Sequence, residues 1–199
     1  GWSRDSRDNV LAPTRGRYQR LSGEVSVPGL DTQYYRATYQ ITQYVPITNS
    51  WTLGLNAQVG YGDTYGNDKI FPFFKNFYAG GIGSVRGYES SSLGPKDEND
   101  DNLGGTQQLV FSAELLTPLP GADRTLRGLL FLDGGNVWGY SGKTKQSTNM
   151  DLSDLRYSWG VGVAWISPLG PLKFSIAFPL NDKDGDDTQR FQFQIGTGF

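Results

Sequence analysis

Apolar residues recur at every second position along most of this chain, in segments of about ten residues separated by turn chemistry, and helical spacing is almost absent. The pattern is sharpest where Trp51, Leu53, Leu55, Ala57, Val59 and Tyr61 oppose Thr52, Gly54, Asn56, Gln58 and Gly60. Successive side chains of a strand point to opposite sides of a sheet, so alternation of this kind predicts a strand with one apolar and one polar face. The same reading predicts strands over residues 1–7, 17–27, 34–46, 51–61, 106–118, 126–136, 155–167 and 172–178. A last strand over residues 188–199 sets Phe191, Phe193, Ile195 and Phe199 against Gln192, Gln194, Gly196 and Gly198. Pro and Gly at Pro13, Gly16, Pro28, Gly29 and Pro168 to Pro171 mark turns, and Gly134-Gly135 is a candidate bulge.

Two regularities set the fold class. One face of nearly every strand is apolar, with aromatics near its ends, while the other carries Gly, Ser, Thr, Gln and a few charges. The connections also alternate in size: polar at 181–187, tight at 168–171, long at 140–154, short at 119–125, very long at about 62–105 and tight at 47–50. Short turns at one end and long loops at the other are the asymmetry of an outer-membrane barrel. The expected fold is therefore all-β, an antiparallel transmembrane β-barrel element of about nine strands, with the last residue periplasmic and the long loop extracellular. A sheet in lipid leaves no unpaired edge. This one closes on itself, pairs with a second copy, or forms part of a larger barrel. The loop is too bulky for an eight-stranded lumen, which favours the C-terminal half of a barrel of about 16 strands with the loop inserted in its lumen.

Composition removes several chemistries. The 199 residues contain no His and no Cys, which excludes disulfides, thiol nucleophiles, Ser-His-Asp sets and the usual zinc sites. With 18 basic and 20 acidic residues there is no reason to expect a nucleic-acid partner. No run of 18 apolar residues exists, so no transmembrane helix is expected. The absence of an N-terminal Met or a signal-like segment reads as a piece of a longer protein. No catalytic constellation, cofactor motif or metal set emerges. The acidic runs at 97–101 and 182–187 miss the calcium-loop spacing and read as solvated outer-loop charge, and Gly81 to Gly87 misses the dinucleotide fingerprint.

The long loop carries the candidate site. It holds Phe71, Phe73, Phe74, Phe77, Tyr78 and Tyr88, expected to pack against something, and a single cation at its tip, Arg86 in Val85-Arg86-Gly87-Tyr88. In a lumen Arg86 needs a counter-charge. Glu114 and Asp133 fall on the polar faces of the two strands after the loop, where they could pin it through charge-assisted hydrogen bonds. Spacing alone fits equally well three solvated charges.

Taken in order, Val85-Arg86-Gly87-Tyr88, Ser112-Ala113-Glu114-Leu115, Leu132-Asp133-Gly134-Gly135-Asn136-Val137-Trp138, Ser167-Pro168-Leu169-Gly170-Pro171-Leu172 and the ending Phe191-Gln192-Phe193-Gln194-Ile195-Gly196 resemble the C-terminal barrel of the BamA family of outer-membrane protein assembly factors. The resemblance covers essentially the whole chain; Tyr88 stands where related sequences often have Phe. It implies an outer-membrane insertase without enzymatic chemistry in a Gram-negative bacterium. Client barrels would enter at a lateral seam by the last strand, marked by Phe191, Phe193, Ile195, Gly196 and Phe199, with Gly196 as a kink. It also implies that Arg86, Gly87 and Tyr88 with Glu114 and Asp133 form a loop latch. Periplasmic POTRA domains and the first barrel strands would precede residue 1. The implied partners are membrane lipid including lipopolysaccharide, client outer-membrane proteins, and accessory lipoproteins held mainly by those periplasmic domains. An isolated 1–199 piece is expected to self-associate. A two-partner secretion transporter and a passive porin or adhesin barrel are the competing readings.

Overall fold

The computed structural model describes residues 1–27, 33–66, 71–121, 125–139, 150–168 and 170–196. The strands are β1 (Trp2–Asp5), β2 (Gly16–Val25), β3 (Tyr34–Pro46), β4 (Thr52–Thr64), β5 (Gly87–Tyr88), β6 (Gln107–Pro118), β7 (Leu126–Trp138), β8 (Arg156–Ser167), β9 (Gly170–Pro179), β10 (Thr188–Gln189) and β11 (Phe191–Ile195). Nine of them form one antiparallel sheet in the order β1-β2-β3-β4-β6-β7-β8-β9-β11, and β5 pairs separately with β10. Each neighbour in the large sheet is also the neighbour in sequence once the two short strands are set aside, a meander that hairpin connections enforce. The sheet is open among the described residues, with β1 at one edge and β11 at the other.

The alternation decides which side is buried. Leu55, Val59, Leu130, Leu132, Trp159, Val161, Phe174 and Ile176 lie on one face and are all exposed. Gln108, Asp133, Ser158, Ser175 and Gln192 lie on the other and are all buried. This inversion fits a sheet whose apolar side meets lipid and whose polar side encloses a lumen. The register carries the inward row across the wall from Tyr44 through Gly54 and Glu114 to Phe131.

Residues 71–106 cover the inward face. Phe77, Ala79, Val85, Tyr88 and Leu93 of this plug pack with Val110 of β6 and Val137 of β7 in one buried cluster. The inward glycines of β4 make room for it: a Cβ on Gly60 would lie 2.5 Å from the Phe77 ring. Arg36 on β3 stacks over the same ring at 4.1 Å. At the opposite end the β1–β2 connection also turns inward. Arg127 on β7 donates to the carbonyls of Pro13 and Ala12, both at 2.9 Å. A cavity of about 570 Å³, lined among others by Arg7, Pro13, Tyr44, Gly83, Glu114 and Arg127, remains between plug and turn.

The structure departs from the sequence reading in four places. Residues 188–199 are not one strand: β10 leaves the sheet to pair with β5, and the sheet resumes only at Phe191. Gly134-Gly135 is not a bulge, because pairing with β6 and β8 runs through both residues without interruption. Gly134 instead lies under the outward Phe111 and Tyr157 rings, whose centroids are 6.1 Å apart, and a Cβ there would come within 2.5 Å of Phe111. Phe71, Phe77 and Tyr88 are buried, whereas Phe73 and Phe74 are about two-thirds exposed, stacked edge to face on each other in a short 3-10 turn. Finally, the 182–187 acidic run is partly paired: Asp186 bonds Arg156 and Asp187 bonds Lys96. Phe199 lies outside the described residues.

Candidate functional site: the plug tip against the lumen wall

Arg86 reaches the wall through its side chain and its backbone. Nε lies 2.6 Å from Asp133 Oδ2 and Nη2 lies 2.7 Å from Oδ1, so the fork of the guanidinium meets both carboxylate oxygens. The Arg86 amide also donates to Oδ2 at 3.1 Å. Nη1 sits 2.6 Å from Glu114 Oε1 as an ion pair. The guanidinium lies over Phe131, with Cζ 3.5 Å from the ring centroid. Arg86 is 2% exposed and Asp133 0%.

Arg86, Glu114 and Asp133, the three charges that the strand phase points to, stand in contact. Three further members lie outside that expectation. Ser112 donates to Asp133 Oδ1 at 2.6 Å and accepts from Arg86 Nη2 at 3.1 Å, which fills the remaining acceptor site of that carboxylate. Lys173 on β9 donates to Glu114 at 2.8 Å. Two carboxylates and two cations therefore balance, a requirement for burying charge. Phe131 is the third. Ser112 and Phe131 share the inward phase of Glu114 on β6 and Asp133 on β7, and Lys173 that of the buried Ser175 on β9, the one signal that could have flagged them.

Gly87 and Tyr88 form the other half of the contact. Gly87 has φ +91°, and a Cβ on it would lie 3.3 Å from Ala177 and 3.4 Å from Pro179 and Ser158. The backbone thus lies directly on the wall of β8 and β9. Thr188 and Gln189 pair with Tyr88 and Gly87, and the Glu89 amide donates to Asp187 O at 2.8 Å. Gln192 on β11 donates to Tyr88 O at 2.6 Å. Of the expected seam residues, Phe191, Phe193 and Ile195 face outward and are exposed. Gly196 sits at φ +101° just past the strand, its amide bonded to Pro171 O at 2.9 Å. They do not touch the Arg86 cluster; Gln192 makes the link between the last strand and the plug.

The match of this whole arrangement to a known domain is direct: an Omp85 superfamily domain spans residues 1–199. The chain belongs to the Omp85 superfamily. Over its full length it is 45% identical to an outer membrane protein assembly factor BamA of Neisseria meningitidis serogroup B, covering 28% of that protein. It is 29% identical to a SAM50-like protein of Schizosaccharomyces pombe, covering all of this chain and 43% of that one. The crystal structure of BamA from Haemophilus ducreyi lacking POTRA domains 1-3 superposes with a TM-score of 0.83 at 28% identity, over 96% of this chain and 40% of that one. This Omp85 chain thus spans less than half the length of these relatives. Its nine-stranded antiparallel sheet, lumen-inserted plug and outward apolar face are those of a barrel wall.

Nothing in the cluster is arranged for covalent chemistry. The cations hold carboxylates, the carboxylates hold cations, and the hydroxyl of Ser112 is spent between them. What the arrangement can do is hold a loop in place.

Proposed function

We propose that this chain is the C-terminal barrel part of an outer-membrane protein assembly factor, which folds and inserts client barrel proteins at a seam beside its last strand. The observation that carries this reading is the plug: Arg86 is pinned to Asp133 and Glu114, while the adjoining Gly87 to Glu89 backbone is bonded to the segment that leads into β11. A passive pore has no need to join its plug to one particular strand. The names of the bacterial relatives support assembly over secretion of a single substrate.

In this reading the protein resides in the outer membrane of a Gram-negative bacterium. Residues preceding this chain supply POTRA domains and the first barrel strands. The work is strand pairing and local deformation of the bilayer, with no covalent step, cofactor or metal. Its partners are client outer-membrane proteins, the lipid and lipopolysaccharide around the barrel, and accessory lipoproteins bound through the periplasmic domains. Arg86, Gly87, Tyr88, Glu114 and Asp133 are the latch, and Phe191, Phe193, Ile195, Gly196 and Phe199 belong to the seam. A 1–199 piece on its own satisfies its sheet edges by self-association, which native mass measurement in detergent detects as multiples of one chain.

Depleting the full-length protein in its host tests the central claim. The expected result is a joint fall in many unrelated outer-membrane barrels. Loss of one secreted protein, with the barrels intact, would overturn it.

A further inference from the structure

The outward face is apolar nearly everywhere except at the short-turn end of β1 to β3. There Arg4 is register partner of Gln19, and Arg17 of Gln43. All four share the face that carries Trp2, Leu21, Tyr39 and Ile41. The Ser6 amide extends the β1–β2 ladder by donating to Arg17 O at 2.8 Å, which makes Arg4 the diagonal neighbour of Arg17 at a spacing of about 7–8 Å. Both arginines are exposed. The outward positions of β1 to β3 carry no Asp or Glu; Asp5 and Glu24 face inward and bond Arg7 and Lys75.

Two like charges side by side on a lipid-facing surface, with no counter-ion among the described residues, are unfavourable unless a headgroup meets them. The local hydrogen bonds shape them for that purpose. Arg17 Nε donates to Gln43 Oε1 at 2.7 Å. Gln43 is itself fixed by its Nε2, which donates to Gly16 O at 3.1 Å and Tyr44 O at 3.2 Å. The guanidinium is therefore oriented by one edge, and its two Nη groups make no hydrogen bond among the described residues. Beside it, Tyr39 Oη accepts from Gln19 at 2.6 Å, which leaves the hydroxyl proton for a further acceptor. An oriented fork, a second cation and a hydroxyl donor match a tetrahedral oxyanion. The apolar Trp2 and Leu21, 52% and 48% exposed and one outward step further into the membrane, match acyl chains.

We propose that the outward face of β1 to β3 is a binding site for the phosphodiester of a membrane phospholipid, in the leaflet on the side of the 6–15 turn. Arg17 is the bidentate donor, Arg4 the second charge, and Gln43 the residue that positions Arg17. This site is separate from the plug and from the seam, and it gives the barrel wall a fixed lipid at one point.

The test uses the full-length protein in detergent, titrated with phosphatidylglycerol, with a diacylglycerol of the same chains, or with inorganic phosphate, and read by native mass spectrometry. Retention of phosphatidylglycerol is expected, with no retention of diacylglycerol and no displacement by millimolar phosphate. Arg4→Ala with Arg17→Ala should lower that retention about tenfold. Arg17→Lys keeps the charge without the fork and should fall between. Arg20→Ala, an inward arginine on the same strand, should change nothing. Equal retention by wild type and the double variant, equal retention of diacylglycerol, or displacement by free phosphate would each overturn the proposal. If the double variant fails to show the heat-modifiable mobility of a folded barrel, Gln43→Met carries the test, with a several-fold loss expected and an unchanged affinity counting against it.

Discussion

Gln192, on the last strand of the sheet, donates its side-chain amide to the carbonyl of Tyr88, in the plug, across 2.6 Å in a buried setting. The two residues are joined again through the β5–β10 pairing and the Glu89 to Asp187 bond. If these contacts couple the two elements, loosening one should loosen the other. Replacing Gln192 by Ala removes one net hydrogen bond, about 1 kcal/mol. Hydrogen exchange of the Gly87 to Glu89 amides in the full-length protein should accelerate about fivefold, while the Arg86 contacts persist. Unchanged exchange there would mean that the two elements are not coupled.

Arg86→Ala leaves Asp133 buried without its cation. Loss of one partner of a buried pair costs roughly 3–5 kcal/mol, reduced where the lumen is wet. The plug should become protease-sensitive and the barrel should lose heat-modifiable mobility at lower temperature. Arg86→Ala combined with Asp133→Ala should be less damaging than the sum of the single changes, since no orphan charge remains. Additive effects would argue against the pair.

Two glycines four residues apart should respond in opposite ways. Gly87→Ala puts a Cβ at φ +91° and 3.3 Å from Ala177, and should destabilise plug docking by about 1–2 kcal/mol. Gly83 has open space around it and an ordinary φ, so Gly83→Ala should be close to neutral. Thermal melts of the two variants in detergent distinguish them.

The 6–15 turn has a pH dependence of its own. Partial burial pushes the Asp8 carboxyl up, but bonds from the hydroxyl and amide of Thr14 and the amide of Arg15 outweigh it and hold it at about 2. A folded value below the unfolded one means that the contribution is complete above about pH 4 and fades as the pH falls toward 2. Exchange protection of the Thr14 and Arg15 amides should follow that window, and Asp8→Asn should flatten it.

Strand existence was legible because a two-residue period survives any tertiary context: 34–46 was read to the residue, and most other strands to within one or two. The extra length of β4 and β7 was not, since their ends are fixed by loop contacts. Phase placed Glu114 and Asp133 on the polar faces of the two strands after the loop, but it fits three solvated charges equally well, and only the folded plug brings Arg86 between them. Lys173 and Ser112 were missed, because many polar residues share that phase and only the curl of the sheet selects among them.

By itself the sequence determined the class of the molecule: alternation set the strands and their two faces, and the connection lengths set the two ends. Only the tertiary structure decided that residues 188–189 leave the wall to pair with Gly87 and Tyr88. The physical reason is that alternation specifies which side a residue faces and says nothing about its partner. A buried backbone carbonyl such as that of Tyr88 takes the nearest donor, and here the folded wall supplies Gln192.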